Sequence, residues 1–141
     1  MKALRKAWRP SLAMVAGALL VGGCMTMGAS DVAMSGSQEV PPVNTAASGT
    51  ASITVAADKS VSGTVTTTGV ASVAAHIHDG AAGKNGPVII PLTKTSDNTW
   101  VVPAGAKLTD AQYADYKAGN LYVNVHSAAN KGGEIRGQLK P

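Results

Sequence analysis

The sequence predicts an all-β domain, an antiparallel Greek-key sandwich or barrel of about seven to eight strands with one short connector helix. Three observations favour this class. Short segments such as GTASITVAA (49–57) alternate β-branched with small polar residues. Gly and Pro residues lie in the gaps between these segments. Phe is absent and aromatic residues make up 4% of the chain, so the core must consist mainly of Val, Ile, Ala and Leu, which suits strands.

Seven segments are expected to form strands. The first two are joined by the short hairpin signal of Asp58 and Lys59. The seven segments are 49–57, 60–69, 70–78, 87–92, 99–104, 121–127 and 133–140. A further edge strand, ended by prolines, is expected in EVPP at 39–42. This number of short strands is typical of a sandwich or barrel.

One helix is predicted at 110–118, within LTDAQYADYKAGN. Thr109 can cap its start, and Gln112, three residues later, can reach back to the capping residue. Gly119 can end the helix in the left-handed conformation. The helix would connect the strand at 99–104 to the strand at 121–127.

The first 23 residues have the pattern of an export signal. Lys2, Arg5, Lys6 and Arg9 form a basic region, and the uncharged apolar run SLAMVAGALLVG is short for a membrane-spanning helix. The run ends at LVGGC, which resembles a bacterial lipobox, so Cys24, the single cysteine, is predicted to be lipidated. A plain signal peptide cut nearby, or a buried apolar helix, is the alternative.

Three segments follow from this interpretation: a lipoprotein signal peptide at 1–23, a tether at 24–33 and a folded domain at 34–141. The lipid at Cys24 would make the membrane a partner and place the protein in the bacterial cell envelope. Met25 follows the cysteine, as in lipoproteins sorted to the outer membrane, so we expect an outer-membrane location facing the periplasm or the surface.

The charge of the chain disfavours nucleic-acid binding. The whole chain has 12 basic and 8 acidic residues, but four basic residues and no acidic ones lie in the predicted signal. The remaining chain therefore carries 8 basic against 8 acidic residues, without a basic cluster. Nothing in the sequence identifies a protein partner.

The three histidines of the chain are the candidate metal ligands. In VAAHIH, His76 and His78 share the strand face opposite the aliphatic residues, and in LYVNVH, His126 also lies opposite them. All three are therefore expected to point away from the core, onto an outer wall. Three imidazoles around an open position suit copper, with zinc possible. The alternative is that they are polar surface residues hydrogen-bonded to loop groups.

Three stretches resemble the CHRD domain, a module named after chordin and found in bacterial exported proteins. They are GSQEVPPVNTAASGTA (36–51), AAHIHDGAAGKNGPVIIPL (74–92) and LTDAQYADYKAGNLYVNVHSAANKGGEIRGQLK (108–140). The resemblance covers residues from about 32 to 141. Lys131 departs from it, because the family usually has Pro before the Gly-Gly pair. The resemblance implies a β-sandwich and leaves the activity open.

A weaker similarity concerns the copper site of Cu,Zn superoxide dismutases, in which an H-x-H pair and a later strand histidine bind copper. By position, this implies His76, His78 and His126 as copper ligands. The bridging fourth histidine, the zinc loop and the disulfide are absent. A copper-only dismutase, with Arg136 steering superoxide, is therefore the least favoured of three hypotheses.

Glu134 and Arg136 share a strand face in GGEIRGQ. Glu134 could orient a ligand imidazole, although a weak cross-strand ion pair on a solvated face is favoured. The leading hypothesis is an envelope lipoprotein that binds copper, for copper handling or redox protection. The second is a non-catalytic adhesion or interaction module in which the histidines are structural. No catalytic residue is assigned.

Overall fold

The computed structural model of the chain describes residues 29–141. Cys24, the predicted signal at 1–23 and the first part of the predicted tether lie outside the described residues. Within 29–141, no helix is long and apolar enough to cross a membrane.

Nine strands and one α-helix make up the described part of the chain. The strands are β1 (Ser30–Ser35), β2 (Ser48–Val55), β3 (Val61–Thr68), β4 (Ser72–Asp79), β5 (Val88–Pro91), β6 (Thr93–Ser96), β7 (Thr99–Val101), β8 (Leu121–Ser127) and β9 (Ile135–Gln138). Helix α1 (Asp110–Lys117) connects β7 to β8, and a single 3-10 turn (Gly36–Gln38) follows β1. The predicted all-β class with one short connector helix is confirmed.

All nine strands belong to one antiparallel sheet in the order β5-β4-β8-β9-β1-β2-β3-β7-β6. The two end strands, β5 and β6, are consecutive in the chain and separated only by Leu92. The chain therefore joins the two edges of its own sheet and nearly closes it into a barrel. In this order β3 lies beside β7, although three strands come between them in the chain.

Hydrogen bonds across the join hold the two ends of the sheet together. The backbone N–H of Leu92 donates to the carbonyl of Ala75 at 2.9 Å. From the other end of the sheet, Trp100 Nε1 donates to the hydroxyl of Ser72 at 3.1 Å, and Lys94 Nζ donates to the carbonyl of Ser72 at 2.9 Å. Trp100 is buried, and so closes the barrel from the inside.

Inward-facing aliphatic side chains fill the barrel, as the composition predicts. The fully buried members include Met34, Ala51, Val65, Ile77, Leu121, Val123, Val125 and Ile135. Each comes from an alternate position of its strand, so the opposite face of the same strand is left for polar residues.

The helix forms as predicted. The Thr109 side chain accepts from the backbone N–H of Gln112, and the Gln112 side chain accepts from the backbone N–H of Thr109, which completes the capping box. Gly119 follows the helix with a φ of 81°, which a residue with a Cβ rarely adopts.

Two segment assignments differ from the structure. Residues 30–33 of the predicted tether belong to β1, which pairs with β2. The side chains of Val32 and Met34 in this strand are buried in the core. The segment DVAM is short and three of its four residues are apolar, so it lacks the regular alternation of apolar and polar residues that would mark it as a strand. EVPP at 39–42 is not a strand, because the 3-10 turn and the two prolines leave it as a bend that packs across the end of β9.

Candidate metal centre

Strands β4 and β8 are neighbours in the sheet, and their register brings the three histidines together. His76 pairs with Asn124 and Ala74 pairs with His126, so His76 and His126 are diagonal neighbours. His78 lies on the same face as His76, two residues along β4. Ile77, Val123 and Val125 occupy the other face and are buried in the barrel. The predicted phasing of both strands is confirmed.

The expectation of an open outer wall is wrong. Every residue of β8 is buried, on both faces, and His78 and His126 are only 8% and 9% exposed. The cover comes from the loop between β4 and β5 and the loop between β8 and β9, which fold over the histidine face. His76, at intermediate exposure, is the most accessible of the three.

The three imidazoles offer nitrogen atoms that all lie within 4.8 Å of one another. The shortest separation joins His76 Nδ1 to His126 Nε2, at 2.9 Å. The His78 ring centroid is 5.7 Å from that of His76 and 6.3 Å from that of His126. Three nitrogen donors at this spacing could hold a metal ion.

Backbone carbonyls fix the orientation of two of the rings. His78 Nδ1 donates to the carbonyl of Gly86 at 2.9 Å, and His126 Nδ1 donates to the carbonyl of Lys131 at 2.8 Å. Because a carbonyl only accepts, both rings carry their proton on Nδ1 and present the lone pair of Nε2. Metal-binding histidines typically donate their second nitrogen in this way.

Glycine is required at position 86 for this contact. A Cβ at Gly86 would lie 1.6 Å from the carbonyl oxygen of Asp79, so only glycine lets the loop return this close to the end of β4. The return is fixed by the N–H of Asp79, which donates to the carbonyl of Pro87 at 3.0 Å. At position 131 this chain has Lys where the CHRD domain usually has Pro. The hydrogen bond of His126 Nδ1 does not depend on this difference, because its acceptor is the backbone carbonyl of Lys131.

The third hydrogen bond of the cluster joins two of the candidate ligands, His76 and His126. Since His126 Nε2 bears a lone pair, His76 Nδ1 is the donor of the 2.9 Å bond. A metal ion bound by both nitrogens would have to displace the proton of this bond. His76 would then carry its proton on Nε2.

Burial favours the neutral form of His76 and His78. Burial, followed by the charges of His126 and His78, lowers the pKa of His76 below its ordinary value. Burial also lowers the pKa of His78, although its hydrogen bond to Gly86 and the nearby Asn124 side chain oppose the shift. Neutral imidazole is the form that binds metals.

Arg136 is buried, and the ring of Tyr122 lies between its guanidinium and His78. The Tyr122 ring stacks on His78 with centroids 4.6 Å apart, and the Arg136 guanidinium lies 3.4 Å from the Tyr122 centroid. Arg136 Nη2 donates to the carbonyl of Ala81 and to Gln138 Oε1. Arg136 is only 1% exposed, so this position does not provide the solvent-facing charge that anion steering requires.

Glu134 does not contact a histidine. Its carboxylate accepts a hydrogen bond from Thr45 Oγ1 at 3.0 Å, and so ties β9 to the segment before β2. Neither of its two predicted contacts, with an imidazole or in a cross-strand ion pair, occurs in the structure.

Glu39 is a buried acidic residue beside Asn124 and Arg136, and the sequence analysis does not single it out. It is 4% exposed, and Asn124 and Arg136 both interact with it. Burial raises the pKa of Glu39 to about 7, against the lowering effects of Asn124 and Arg136. The only sequence signal is an acidic residue ahead of two prolines.

The family model of the CHRD domain matches residues 31–139. The chain belongs to the CHRD family. The match confirms the resemblance carried by the three quoted stretches, and it includes all three histidines together with Glu39 and Asn124. Searches of curated proteins and of solved structures found no match. In this CHRD domain, the candidate metal centre therefore lies on the outer face of β4 and β8, under two loops.

Proposed function

We propose that this CHRD domain binds one copper ion through His76, His78 and His126. The observation that carries the proposal is the orientation of the rings: two of the three present a lone pair on Nε2 because backbone carbonyls hold the opposite nitrogen. A backbone carbonyl would satisfy the N–H of any buried histidine, but here nitrogen atoms of all three rings also converge within 4.8 Å of one another, as the ligands of one ion must.

The chemistry of the donors supports copper. Three imidazole nitrogens around an open position suit copper(II) in tetragonal geometry. Nitrogen donors also bind copper(II) most tightly among the divalent first-row metals.

The fit requires a small adjustment. Two ligands of one ion can be at most about 4.2 Å apart at bond lengths of about 2.0 to 2.1 Å, while the nitrogen atoms here span up to 4.8 Å. Movements of less than about 1 Å among the rings bring the largest separation within this limit. Of the three rings, His76 is the one that no backbone carbonyl holds.

In this proposal the domain works in the bacterial cell envelope, anchored by a lipid on Cys24. Copper bound there would serve copper handling or redox protection. The buried position of Arg136 gives no support to rapid superoxide turnover, so a binding role is favoured over a catalytic one.

Copper titration of the purified chain, in competition with a chromophoric chelator, tests the proposal. We expect one copper(II) ion per chain at micromolar affinity or tighter, and a loss of at least about tenfold in each of His76→Ala, His78→Ala and His126→Ala. Thr67→Val, which changes a buried polar residue on β3 away from the site, is the matched control. Binding that persists unchanged in His126→Ala, or no binding at all, would refute this ligand set and favour an interaction module with structural histidines.

A further inference from the structure

We propose that Asn124 supplies a fourth ligand, its side-chain oxygen Oδ1, to the metal held by the three histidines. The inference rests on the proposed function and adds an amide oxygen to a site otherwise made of imidazole nitrogens. Three independent observations carry it: the position of Asn124 in the sheet, the orientation of its amide, and two buried atoms that lack hydrogen bonds.

Asn124 occupies the middle of the histidine cluster. It pairs directly with His76 across β4 and β8, and it lies on the same face as His126, two residues away on its own strand. His78 is the diagonal neighbour of Asn124, because its direct partner is Tyr122. Diagonal neighbours are within reach of long side chains, so Asn124 adjoins all three candidate ligands.

The amide nitrogen of Asn124 faces away from the histidines. Nδ2 donates to the carbonyl of Gly132, at 3.4 Å. It also lies beside the Glu39 carboxylate, since a Cβ at Gly133 would meet Asn124 Nδ2 at 2.5 Å and Glu39 Oε1 at 2.4 Å. With Nδ2 on this loop side, Oδ1 lies at the other end of the amide, and the Asn124 side chain is close to His78.

Two acceptor atoms at this point have no donor. Asn124 Oδ1 and His78 Nε2 are both buried and have no hydrogen-bond partner among the described residues. Asn124 is 2% exposed. Because His78 carries its proton on Nδ1, the two atoms are both lone-pair donors, and neither can satisfy the other. A buried pair of this kind is costly unless a third group accepts both lone pairs.

A metal cation satisfies both atoms at once. Three imidazole nitrogens and one neutral oxygen form an N,O set of the kind found around tetragonal copper(II). The Glu39 carboxylate and the Gly132 carbonyl would hold the amide from behind, as outer groups commonly hold a ligand. The set contains no negative charge, so the bound ion would keep its positive charge and leave room for an exogenous anion or water beside His76.

The test compares Asn124→Asp and Asn124→Leu with the wild-type chain and with Thr67→Val. Copper(II) affinity is measured by chelator competition, and the ligand field is measured by electron paramagnetic resonance. Asp keeps the shape and replaces a neutral oxygen with an anionic one, so we expect affinity to rise by about tenfold or more. Leu has no donor atom, and we expect affinity to fall by about tenfold. The copper hyperfine splitting should change in both variants and stay constant in Thr67→Val.

Three results would count against the inference in distinguishable ways. If the wild-type chain binds copper and both Asn124 variants keep its affinity and spectrum, Asn124 is not a ligand, although the three-histidine site stands. If Asn124→Asp binds copper no more tightly than Asn124→Leu, the residue acts only by orienting its neighbours. If the wild-type chain binds no copper, the proposed function itself fails. Thermal unfolding of the metal-free variants verifies that each is folded before its binding is compared.

Discussion

His76 Nδ1 and His126 Nε2 lie 2.9 Å apart, although 50 positions separate the two residues in the chain. The contact is diagonal across neighbouring strands, so it depends on the register of β4 against β8. A slip of one residue would turn either histidine into the barrel. The aliphatic residues that fill the core therefore also set the geometry of the candidate metal centre.

Two adjacent glycines provide a test of the loop that covers the site. Gly133 has a φ of 124°, and a Cβ there would collide with Glu39 and Asn124, whereas a Cβ at Gly132 would meet nothing within 4 Å. We expect Gly133→Ala to lower the free energy of unfolding by about 1 to 3 kcal/mol and to weaken copper binding. Gly132→Ala should leave both nearly unchanged. Chemical denaturation and copper titration of the two variants measure this, and equal effects of both would contradict it.

Copper binding should resist mild acid. Protons compete with the metal for the imidazoles, and the pKa values of His76 and His78 both lie below the ordinary value because of burial. We expect copper(II) affinity to stay nearly constant from pH 8 to about pH 6.5, the ordinary histidine pKa, and to fall only at lower pH. Chelator competition at a series of pH values measures the profile. A steep loss that begins above pH 7 would show that these imidazoles are not held neutral.

Glu39 should make the metal-free fold less stable at neutral than at acid pH. Burial raises its pKa from the ordinary 4.5 of a free carboxyl group to about 7 in the folded chain. The folded state therefore binds more protons between these values, and this contribution to the free energy of unfolding decreases as pH rises from about 4.5 to about 7. His76 and His78 act oppositely, because their lowered pKa values cost stability only as pH falls below about 6.5.

The variant Glu39→Gln removes the contribution of Glu39 to the pH dependence of stability and keeps that of His76 and His78. Gln keeps the shape and does not ionise, so the variant should gain stability relative to the wild type as pH rises through this window. We expect a gain of about 2 kcal/mol between pH 5 and pH 8, measured by denaturation, because the two pKa values differ by about 2.5 units and one unit corresponds to about 1.4 kcal/mol. Equal wild-type and variant stabilities at both pH values would mean that Glu39 ionises as freely as in water.

Arg136 is expected to contribute to stability rather than to binding. Its guanidinium stacks on Tyr122 and donates to Ala81 and Gln138, in a buried position. Arg136→Lys loses the planar stack and the fixed donors, so we expect a loss of about 2 kcal/mol or more in the free energy of unfolding. Copper affinity should change by less than about threefold. A large loss of copper affinity without a change in stability would mean that Arg136 takes part in metal binding.

Much of the centre could be predicted from alternation alone. The patterns VAAHIH and LYVNVH place the histidines opposite the core residues of their strands, and the structure agrees. The loop cover could not be predicted in the same way. The groups that orient His78 and His126 are backbone carbonyls, which every residue has, and nothing in a side-chain pattern marks which carbonyl will lie within reach.

Glu39 and Asn124 show a second limit. Asn124 lies on the predicted histidine face, but an asparagine between two valines is read as an ordinary polar residue of a strand. The bend before β2 brings Glu39 to Asn124. The sequence instead predicts an extended edge strand for EVPP. The role of Glu39 depends on where the turn at Gly36–Gln38 directs the chain, which is a tertiary property and leaves no periodic signal.

The most direct measurement is a crystal structure of the copper-loaded chain with anomalous scattering recorded at the copper absorption edge. We predict one strong peak between β4 and β8, about 2.0 to 2.1 Å from nitrogen atoms of His76, His78 and His126. A peak elsewhere on the molecule, or a site that reaches only one of the three imidazoles, would contradict the proposed metal centre.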